Sequence, residues 1–261
     1  MKISVEQGSF GYPGSRTLFE NLCFEVERGE ILAILGPNGV GKTTLLKCMT
    51  CMLPWNRGAA YLDGQNIKYF DSVDIWRHLA YVPQVHASVF SYSVLDMVLM
   101  GRSAHINWFS MPGKNDRRVA RNALESVGIG HLARRICSEL SGGERQLVMI
   151  ARALAAEPEI IILDEPESHL DFRNQLMILD ILESISQQRE ISCIINTHYP
   201  EHALRISDKT LILGKECDYV VGETEEVISE DNLQKFFAVR TRLLSYTDRG
   251  VARKTVVAVA I

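Results

Sequence analysis

Positions 31–49 of the chain, which read ILAILGPNGVGKTTLLKCM, decide the fold. The run opens with five apolar residues, the pattern of a strand that is buried on both faces. A glycine-rich turn follows and leads directly into residues with helical character, so the sequence predicts a strand, a loop and a helix in succession. Residues 36–43 fit the pattern G-x-x-x-x-G-K-S/T in the structural context that this pattern requires. The stretch is therefore predicted to bind phosphate.

The chemistry of this loop depends on its residue types. Its glycines let the backbone curl until successive N–H groups face an anion, and the helix that begins near Lys42 adds the positive end of its dipole. The ammonium group of Lys42 can reach terminal phosphates, and the hydroxyl of Thr43 can be a ligand of Mg²⁺. The alternative is an ordinary glycine turn.

A second buried strand leads into two carboxylates, Asp164 and Glu165, and a helix is predicted to follow them through position 182. The carboxyl ends of parallel strands form the ligand crevice of α/β proteins, so we expect Asp164 to hold Mg²⁺ through water and Glu165 to act as general base on an attacking water. His198 follows the strand sequence ISCIIN and is expected beside the same crevice, in contact with the γ-phosphate. The alternatives are an acidic pair at the start of a loop and an ordinary core or surface histidine.

The sequence LSGGERQ at 140–146 predicts a second anion site. Ser141 and Glu144 form an S-x-x-E capping box at the start of a helix. Capping does not require the adjacent Gly142 and Gly143, which leave bare N–H groups at the helix N-terminus. The chain has one phosphate loop but two such anion sites, so we infer that the second serves a nucleotide held by another copy of the chain.

Composition places the 261-residue chain among globular proteins. Hydrophobic residues make up 46% and charged residues 23%, which excludes disordered and fibrous classes, and a formal net charge of −4 argues against a surface devoted to nucleic acid. No apolar run approaches the roughly 18 to 20 residues that cross a bilayer, and we expect no export signal. The six cysteines are sparse and fit reduced thiols, so the cytoplasm is the expected compartment.

Strand-type and helix-type segments alternate along the chain. Apolar alternation at 3–26 predicts antiparallel strands, and the buried-strand pattern recurs three times after residue 158. Apolar residues at three- and four-residue steps predict a helical lobe at 93–152. The stretch from 95 to 140 in this lobe has seven Lys or Arg against four Asp or Glu, so the lobe is a candidate partner surface or a solvated helical face. These patterns predict a mostly parallel α/β sheet with a helical lobe.

Together these motifs resemble the nucleotide-binding subunit of an ABC transporter, and the resemblance extends from position 5 to about position 213. It implies a P-loop NTPase fold of the α/β class, with a RecA-like core, an N-terminal antiparallel β subdomain and a helical subdomain. The expected divisions of this single ABC ATPase domain (1–261) are a β subdomain with the core (1–84 and 153–213), the helical subdomain (85–152) and a short C-terminal extension (214–261).

The resemblance also implies roles for individual residues. Gln84 in YVPQ matches the hinge that senses the γ-phosphate or Mg²⁺, with a surface glutamine as the alternative, and Tyr12 matches the ring that stacks on adenine, with a packing tyrosine as the alternative. The expected catalytic residues are Glu165, His198 and Gln84, and the expected Mg²⁺ ligands are Thr43, Gln84 and Asp164. The residues expected to bind ATP are Tyr12, Gly36, Pro37, Asn38, Gly39, Val40, Gly41, Lys42, Thr43, Thr44, Ser141, Gly142, Gly143, Glu144 and Asp171.

The chain departs from the family pattern at two positions. Glu167 stands where Thr usually follows Asp-Glu-Pro, and Glu144 stands where Gln is commonest. Both are expected to lie outside the direct chemistry. Cys48 and Cys51 lie on the helix after the phosphate loop without a second pair, so core packing is favoured over a metal site.

The resemblance implies a head-to-tail homodimer that sandwiches ATP and Mg²⁺ and drives a separate integral membrane permease dimer. The expected place is the cytoplasmic face of the inner or plasma membrane, with an extracytoplasmic substrate-binding protein as an indirect partner and no nucleic acid. The sequence at 91–109 resembles importers of metal chelates (ferric siderophores, haem, cobalamin) and a molybdate or tungstate branch, and its Trp108 and Phe109 are candidates for the permease groove or for core packing. The alternatives are an ABC exporter and a soluble, non-transport ABC protein.

Overall fold

The computed structural model describes residues 1–84, 92–107, 110–248 and 250–260. The strands are β1 (Ile3–Gly11), β2 (Thr17–Val26), β3 (Ile31–Leu35), β4 (Arg57–Leu62), β5 (Gln65–Asn66), β6 (Leu79–Val82), β7 (Ile160–Asp164), β8 (Ser192–Asn196), β9 (Lys209–Leu213), β10 (Tyr219–Glu223), β11 (Arg240–Asp248) and β12 (Val251–Ala260). The α-helices are α1 (Lys42–Met49), α2 (Ser72–His78), α3 (Val94–Leu99), α4 (Lys114–Ser126), α5 (Gly142–Ala155), α6 (Phe172–Arg189), α7 (Pro200–Ile206), α8 (Thr224–Val227) and α9 (Glu230–Phe237). Short 3-10 helices lie at Ile67–Tyr69, Met100–His105, Gly130–Leu132 and Cys137–Glu139.

The central sheet has the strand order β10-β9-β3-β8-β7-β6. All neighbours in it run parallel except β10, which pairs antiparallel with β9. Strands β3, β7 and β8 are buried along their whole length, as their apolar sequences predict for strands covered on both faces. Their carboxyl ends meet at one edge of the sheet, which is where ligand sites of parallel sheets lie.

A separate antiparallel sheet in the order β2-β1-β4-β5 packs on the central sheet and α1. Its inward side chains, such as Phe19 and Leu22, share one apolar core with Leu45 of α1 and Ile34 of β3. This sheet covers the helix that follows the phosphate loop. The predicted α/β fold with an antiparallel β subdomain is confirmed.

The helical lobe consists of α3, α4 and α5, which share an apolar core with α6 and with strands of the central sheet. One basic residue of the lobe is not part of a solvated face. Arg102 is 4% exposed, donates to the carbonyl of Ala155 at 2.8 Å, and forms ion pairs with Asp116 (3.2 Å) and Glu157 (2.7 Å). Arg102 therefore ties the segment after α3 to the start of α4 and to the end of α5 within the lobe.

Three boundaries differ from those expected from sequence. The helix after Asp164 begins only at Phe172, because Glu165 and His169 have φ of 51° and 61°, which a right-handed helix excludes. The central sheet continues beyond position 213, since β10 adds a strand that pairs with β9. Helix α5 runs across position 152, where the helical subdomain was expected to end. None of the helices in the described part of the chain has the length and apolar character of a membrane span.

Candidate active site

The phosphate loop joins β3 to α1 through three glycines with positive φ. Gly36, Gly39 and Gly41 have φ of 147°, 74° and 112°, a region that residues with a Cβ rarely adopt. The loop closes with the amide of Leu45 donating to the carbonyl of Gly41 at 2.8 Å, so α1 begins directly at Lys42. The structure thus gives the predicted strand, curled loop and helix, with the helix N-terminus facing the loop.

Gly36 is required for a second reason, which predicts the effect of a substitution. A Cβ at this position would lie 2.5 Å from the carbonyl oxygen of Leu213, whereas at Gly64, which also has positive φ (78°), nothing lies within 4 Å. We expect Gly36→Ala to lower the free energy of unfolding by about 2 kcal/mol or more and Gly64→Ala by only about 1 kcal/mol. Urea denaturation measures both. Equal losses would contradict the close approach of the loop to β9.

Lys42 lies inside the loop that it is predicted to serve. Its side chain is 5% exposed, and Nζ donates to the carbonyls of Gly36 (2.8 Å) and Pro37 (3.1 Å), with Nδ1 of His198 at 3.5 Å. Burial lowers the pKa of Lys42 to about 8, while the charges of Glu165 and Asp164 act in the opposite direction. An anion at the loop would favour the charged form, so the group is placed to bind phosphate.

The carboxylate of Asp164, at the end of β7, has three partners. The hydroxyl of Thr43 and the amide Nδ2 of Asn196 donate to Oδ1 at 3.0 and 2.5 Å, and the hydroxyl of Tyr81 donates to Oδ2 at 3.0 Å. Burial, followed by the charge of Asp164, raises the pKa of the Tyr81 phenol, so it stays a donor. Tyr81 and Asn196 were missed by sequence reasoning. Their only sequence signal is that Tyr81 begins YVPQ and that Asn196 ends the buried strand before His198.

The residues around Asp164 fit a Mg²⁺ ion. The described residues contain no group of three or more His, Cys, Asp or Glu side chains that could hold a metal ion. Mg²⁺ does not need one, because it is commonly held by one or two carboxylates together with water and substrate phosphates. Asp164 and Thr43 supply one carboxylate and one hydroxyl 3.0 Å apart beside the phosphate loop, so this pair fits the ion.

Glu165 is held by two side chains that the sequence predicted to be catalytic. Nε2 of His198 lies 2.5 Å from Oε1, and Nε2 of Gln84 donates to Oε2 at 3.0 Å. Gln84 Nε2 also lies 3.2 Å from Oγ of Ser168. Gln84 is therefore beside the predicted general base, and no contact joins it to Thr43 or Asp164 among the described residues.

Tyr12 lies at the β subdomain side of the loop. Its side chain is 43% exposed, packs edge-on against Phe10 with the ring centroids 5.0 Å apart, and its hydroxyl lies 3.4 Å from Oγ1 of Thr44. A half-exposed ring beside the phosphate loop is available for stacking. The role of Tyr12 in adenine binding remains a prediction.

The predicted capping box of LSGGERQ is formed. Ser141 Oγ accepts from the amide of Glu144 at 3.3 Å, and Glu144 Oε2 accepts from the amide of Ser141 at 2.8 Å, a bond that lowers the pKa of Glu144. Gly142 is exposed, whereas a Cβ at the buried Gly143 would lie 2.7 Å from the side chain of Asn174. Asp171, which accepts from the amide of Asn174 at 2.8 Å, caps α6.

These residues do not join the site around Lys42. Across the part of the chain that the structure describes, no hydrogen bond or ion pair links the residues 141–144 or Asp171 to the phosphate loop. In a single copy the phosphate loop and the exposed N-terminus of α5 thus lie at separate places.

Glu167, which was expected to lie outside the direct chemistry, is a buried residue. It is 1% exposed, accepts a hydrogen bond from the Thr197 hydroxyl, and lies 3.6 Å from Nδ1 of His202. Cys48, in contrast, is buried in the core as expected, and burial raises the pKa of its thiol to about 12. Trp108 and Phe109 lie outside the described residues.

A parallel sheet with a glycine phosphate loop, a carboxylate pair and a histidine at its carboxyl edge defines a P-loop nucleoside triphosphatase. Comparison with known proteins narrows this class. The sequence profile of the family described as "ABC transporter" matches residues 19–168. The chain belongs to the ABC transporter family as an ATP-binding ATPase, which confirms the family predicted from its motifs.

Named relatives and a solved structure support this membership over nearly the whole chain. The molybdate import ATP-binding protein MolC of Haemophilus influenzae is 40% identical over 90% of this chain and 87% of its own length. The iron(3+)-hydroxamate import ATP-binding protein FhuC of Bacillus subtilis is 35% identical over 93% and 90%. A solved ABC transporter of proposed metal-chelate type, in an inward-facing conformation, matches with a TM-score of 0.89 at 36% identity, over 98% of this chain and 97% of that one.

Proposed function

We propose that the chain hydrolyses ATP to power import of a metal chelate or of molybdate or tungstate through a separate membrane permease. One observation carries the catalytic part, namely that Glu165 is held between His198 and Gln84 at the end of β7, beside Lys42. The import part is supported by the similarity to MolC and FhuC, whose names specify molybdate and iron(3+)-hydroxamate.

In the proposed reaction each residue has a local task. The loop amides and Lys42 bind the phosphates, and Thr43 and Asp164 hold Mg²⁺. Glu165 accepts a proton from the attacking water, and His198 contacts the γ-phosphate. When bound, Mg²⁺ neutralises charge that develops on the phosphate oxygens. Gln84, which bonds to Glu165 and immediately precedes the segment that leads to the helical lobe, couples the site to that lobe.

The site is proposed to be completed by a second copy. The N-terminus of α5 is exposed at Gly142, and the backbone N–H groups of the first helical turn point out of the helix there, apart from the phosphate loop of the same chain. In a head-to-tail homodimer it would bind the nucleotide of the partner, near Asp171. In the proposed power stroke, ATP binding closes the dimer and ATP hydrolysis lets the dimer open again.

An apolar groove is the proposed docking site of the permease, on the cytoplasmic face of the membrane. The cavity, of about 390 Å³, lies between the sheet edge at Pro83 and the helical lobe and is lined by Trp76, Met100 and Met149 among others. Met100 is 37% exposed there. The groove directly precedes the predicted hinge Gln84, so an occupant would contact the element that reaches Glu165. The segment 85–91 lies outside the described residues.

If the permease docks in this groove, a substitution there should weaken permease binding without affecting ATP binding. We expect Met100→Glu to weaken co-purification with the permease about tenfold or more, because it places a charge in an apolar interface, while ATP affinity stays unchanged. Leu244→Glu on β11, where Leu244 is 52% exposed, makes the same kind of change away from the groove and is the control. Normal permease binding by Met100→Glu would contradict docking in this groove.

Import itself is tested with the complex. The partners are to be identified from genes for a multi-span permease and a binding protein that lie beside the gene for this chain. The complex of these proteins is then reconstituted in vesicles. We expect ATP-dependent uptake of one class among ferric chelates, haem, cobalamin, molybdate and tungstate, and tight binding of the same class by the binding protein. ATP-driven transport in the opposite direction, from the side of the membrane that carries the ATPase to the other side, would support the exporter alternative and contradict import.

A further inference from the structure

We propose that Glu167 is a positioning residue for His198, acting through the hydroxyl of Thr197. The proposal rests on the proposed function, in which His198 acts at the reacting phosphate. It adds a residue that touches neither nucleotide nor metal. The carboxylate stands at a position where the family pattern usually has threonine.

The burial of Glu167 calls for a physical reason. Its side chain is 1% exposed, and a carboxylate without water is strongly unfavourable unless hydrogen bonds and opposite charge compensate for the lost hydration. The Thr197 hydroxyl donates to Oε1 and is the hydrogen bond that the carboxylate makes among the described residues. Oε2 has no hydrogen-bond partner there, and Nδ1 of His202 lies 3.6 Å from Oε1, beyond hydrogen-bond distance. Gln175 Nε2 holds the main-chain carbonyl of Glu167 at 3.4 Å. The carboxylate is thus built into the interior rather than left at a surface.

Thr197 connects Glu167 to the main chain around His198 through its hydrogen bonds. Its hydroxyl donates to Glu167 and also accepts the amide of Tyr199 at 3.2 Å, which closes a turn with His198 at its centre. Its own amide donates to the carbonyl of Ile34 in β3 at 3.1 Å. The main chain is therefore fixed on both sides of His198, and the acceptor that orients the Thr197 hydroxyl is Glu167.

The same cluster links the two strand ends that carry the site. Asp164 pairs with Asn196 across β7 and β8, and Glu165 contacts His198. The contact between Glu167 and Thr197 adds a further tie between the chain segments at the ends of β7 and β8, three residues beyond Asp164. With this tie in place, the imidazole of His198 is held at Glu165 before nucleotide arrives, which removes part of the cost of ordering it in the reaction.

Thr197→Val is the first test, because it removes the hydroxyl and keeps the shape. We expect the Tyr199 amide to exchange with deuterium about tenfold faster in the nucleotide-free chain, since it loses its acceptor. We also expect kcat for ATP hydrolysis by the full chain to fall about tenfold, with ATP affinity within about twofold. Thr197→Ser, which keeps the hydroxyl, should restore both values.

The matched control is Thr210→Val in β9. Thr210 is 0% exposed and its hydroxyl lies 2.9 Å from that of Thr224, so the change removes a buried hydroxyl of the same kind away from the site. It should alter neither Tyr199 exchange nor kcat. If Thr197→Val and Thr210→Val lower thermal stability equally and neither lowers kcat, the role of Thr197 is structural only and the proposal is overturned.

Glu167 itself is tested by two substitutions, one that keeps and one that removes an oxygen able to accept from the Thr197 hydroxyl. A double variant then tests whether Thr197 acts through His198. Glu167→Gln retains an oxygen for the Thr197 hydroxyl and should keep kcat near wild type, whereas Glu167→Ala should match Thr197→Val. In a His198→Ala background, Thr197→Val should cause no further loss of kcat, because both changes act through one group. Additive losses would overturn the proposal.

The outcomes separate this inference from the proposed function. If His198→Ala abolishes hydrolysis but Thr197→Val does not reduce it, the positioning role fails and the ATPase assignment of His198 stands. If His198→Ala itself hydrolyses ATP at the wild-type rate, the catalytic role of His198 fails and the positioning role fails with it.

Discussion

Glu165→Gln is expected to reduce steady-state ATP hydrolysis at least about a hundredfold while leaving ATP binding intact, because general-base catalysis contributes a factor of this order. The carboxylate is held by His198 at 2.5 Å and by Gln84 at 3.0 Å. Glutamine has the same shape but cannot accept the proton of the attacking water. Phosphate release and equilibrium binding of a fluorescent ATP analogue measure the two properties separately.

The same variant reports on the dimer. With hydrolysis blocked, ATP should trap the head-to-tail homodimer, so gel filtration with ATP should show twice the monomer mass for Glu165→Gln. Glu25→Gln is the control, since Glu25 is an exposed residue of β2 whose ion pair with Lys2 contributes little. Undiminished steady-state hydrolysis by Glu165→Gln would contradict the general-base role.

Lys42→Ala is expected to lower the affinity for ATP at least about tenfold, because a hydrogen bond to a charged group contributes roughly 1.5 to 3 kcal/mol. The ammonium group already lies in the loop, where it donates to the carbonyls of Gly36 and Pro37. Those carbonyls are weak substitutes for phosphate, and burial lowers the pKa of Lys42 to about 8 in the nucleotide-free site. Calorimetric titration with ATP measures the loss.

Lys47→Ala makes the matched control for Lys42→Ala. Lys47 lies on the same helix, α1, and its ammonium group has no hydrogen bond or ion pair within the described residues. Its removal should leave ATP affinity unchanged. The free energy of unfolding of Lys42→Ala should not fall, since the change removes a charge that is unfavourable when buried. ATP affinity equal to wild type in Lys42→Ala would contradict the phosphate-loop assignment.

The sequence predicted those parts of the site that depend on short, contiguous motifs. Gly36 and Gly41 need positive φ, and the capping box of Ser141 and Glu144 forms from residues three apart, so local pattern was sufficient for both. Helix α6 shows the limit of this reasoning. The sequence predicted a helix after Glu165, but the positive φ of Glu165 and His169, which no pattern revealed, moves its start to Phe172.

What the sequence by itself determined is the class of fold, the family and the residues of the phosphate loop, because these follow from short contiguous motifs and from the order of such segments along the chain. What only the tertiary structure decided is which distant residues complete the site. Strands β7 and β8 pair in parallel with Asp164 opposite Asn196, and this register brings Asn196 to the predicted metal ligand and Thr197 to Glu167. Residues about 30 positions apart meet there only because a parallel sheet places the ends of separate strands side by side.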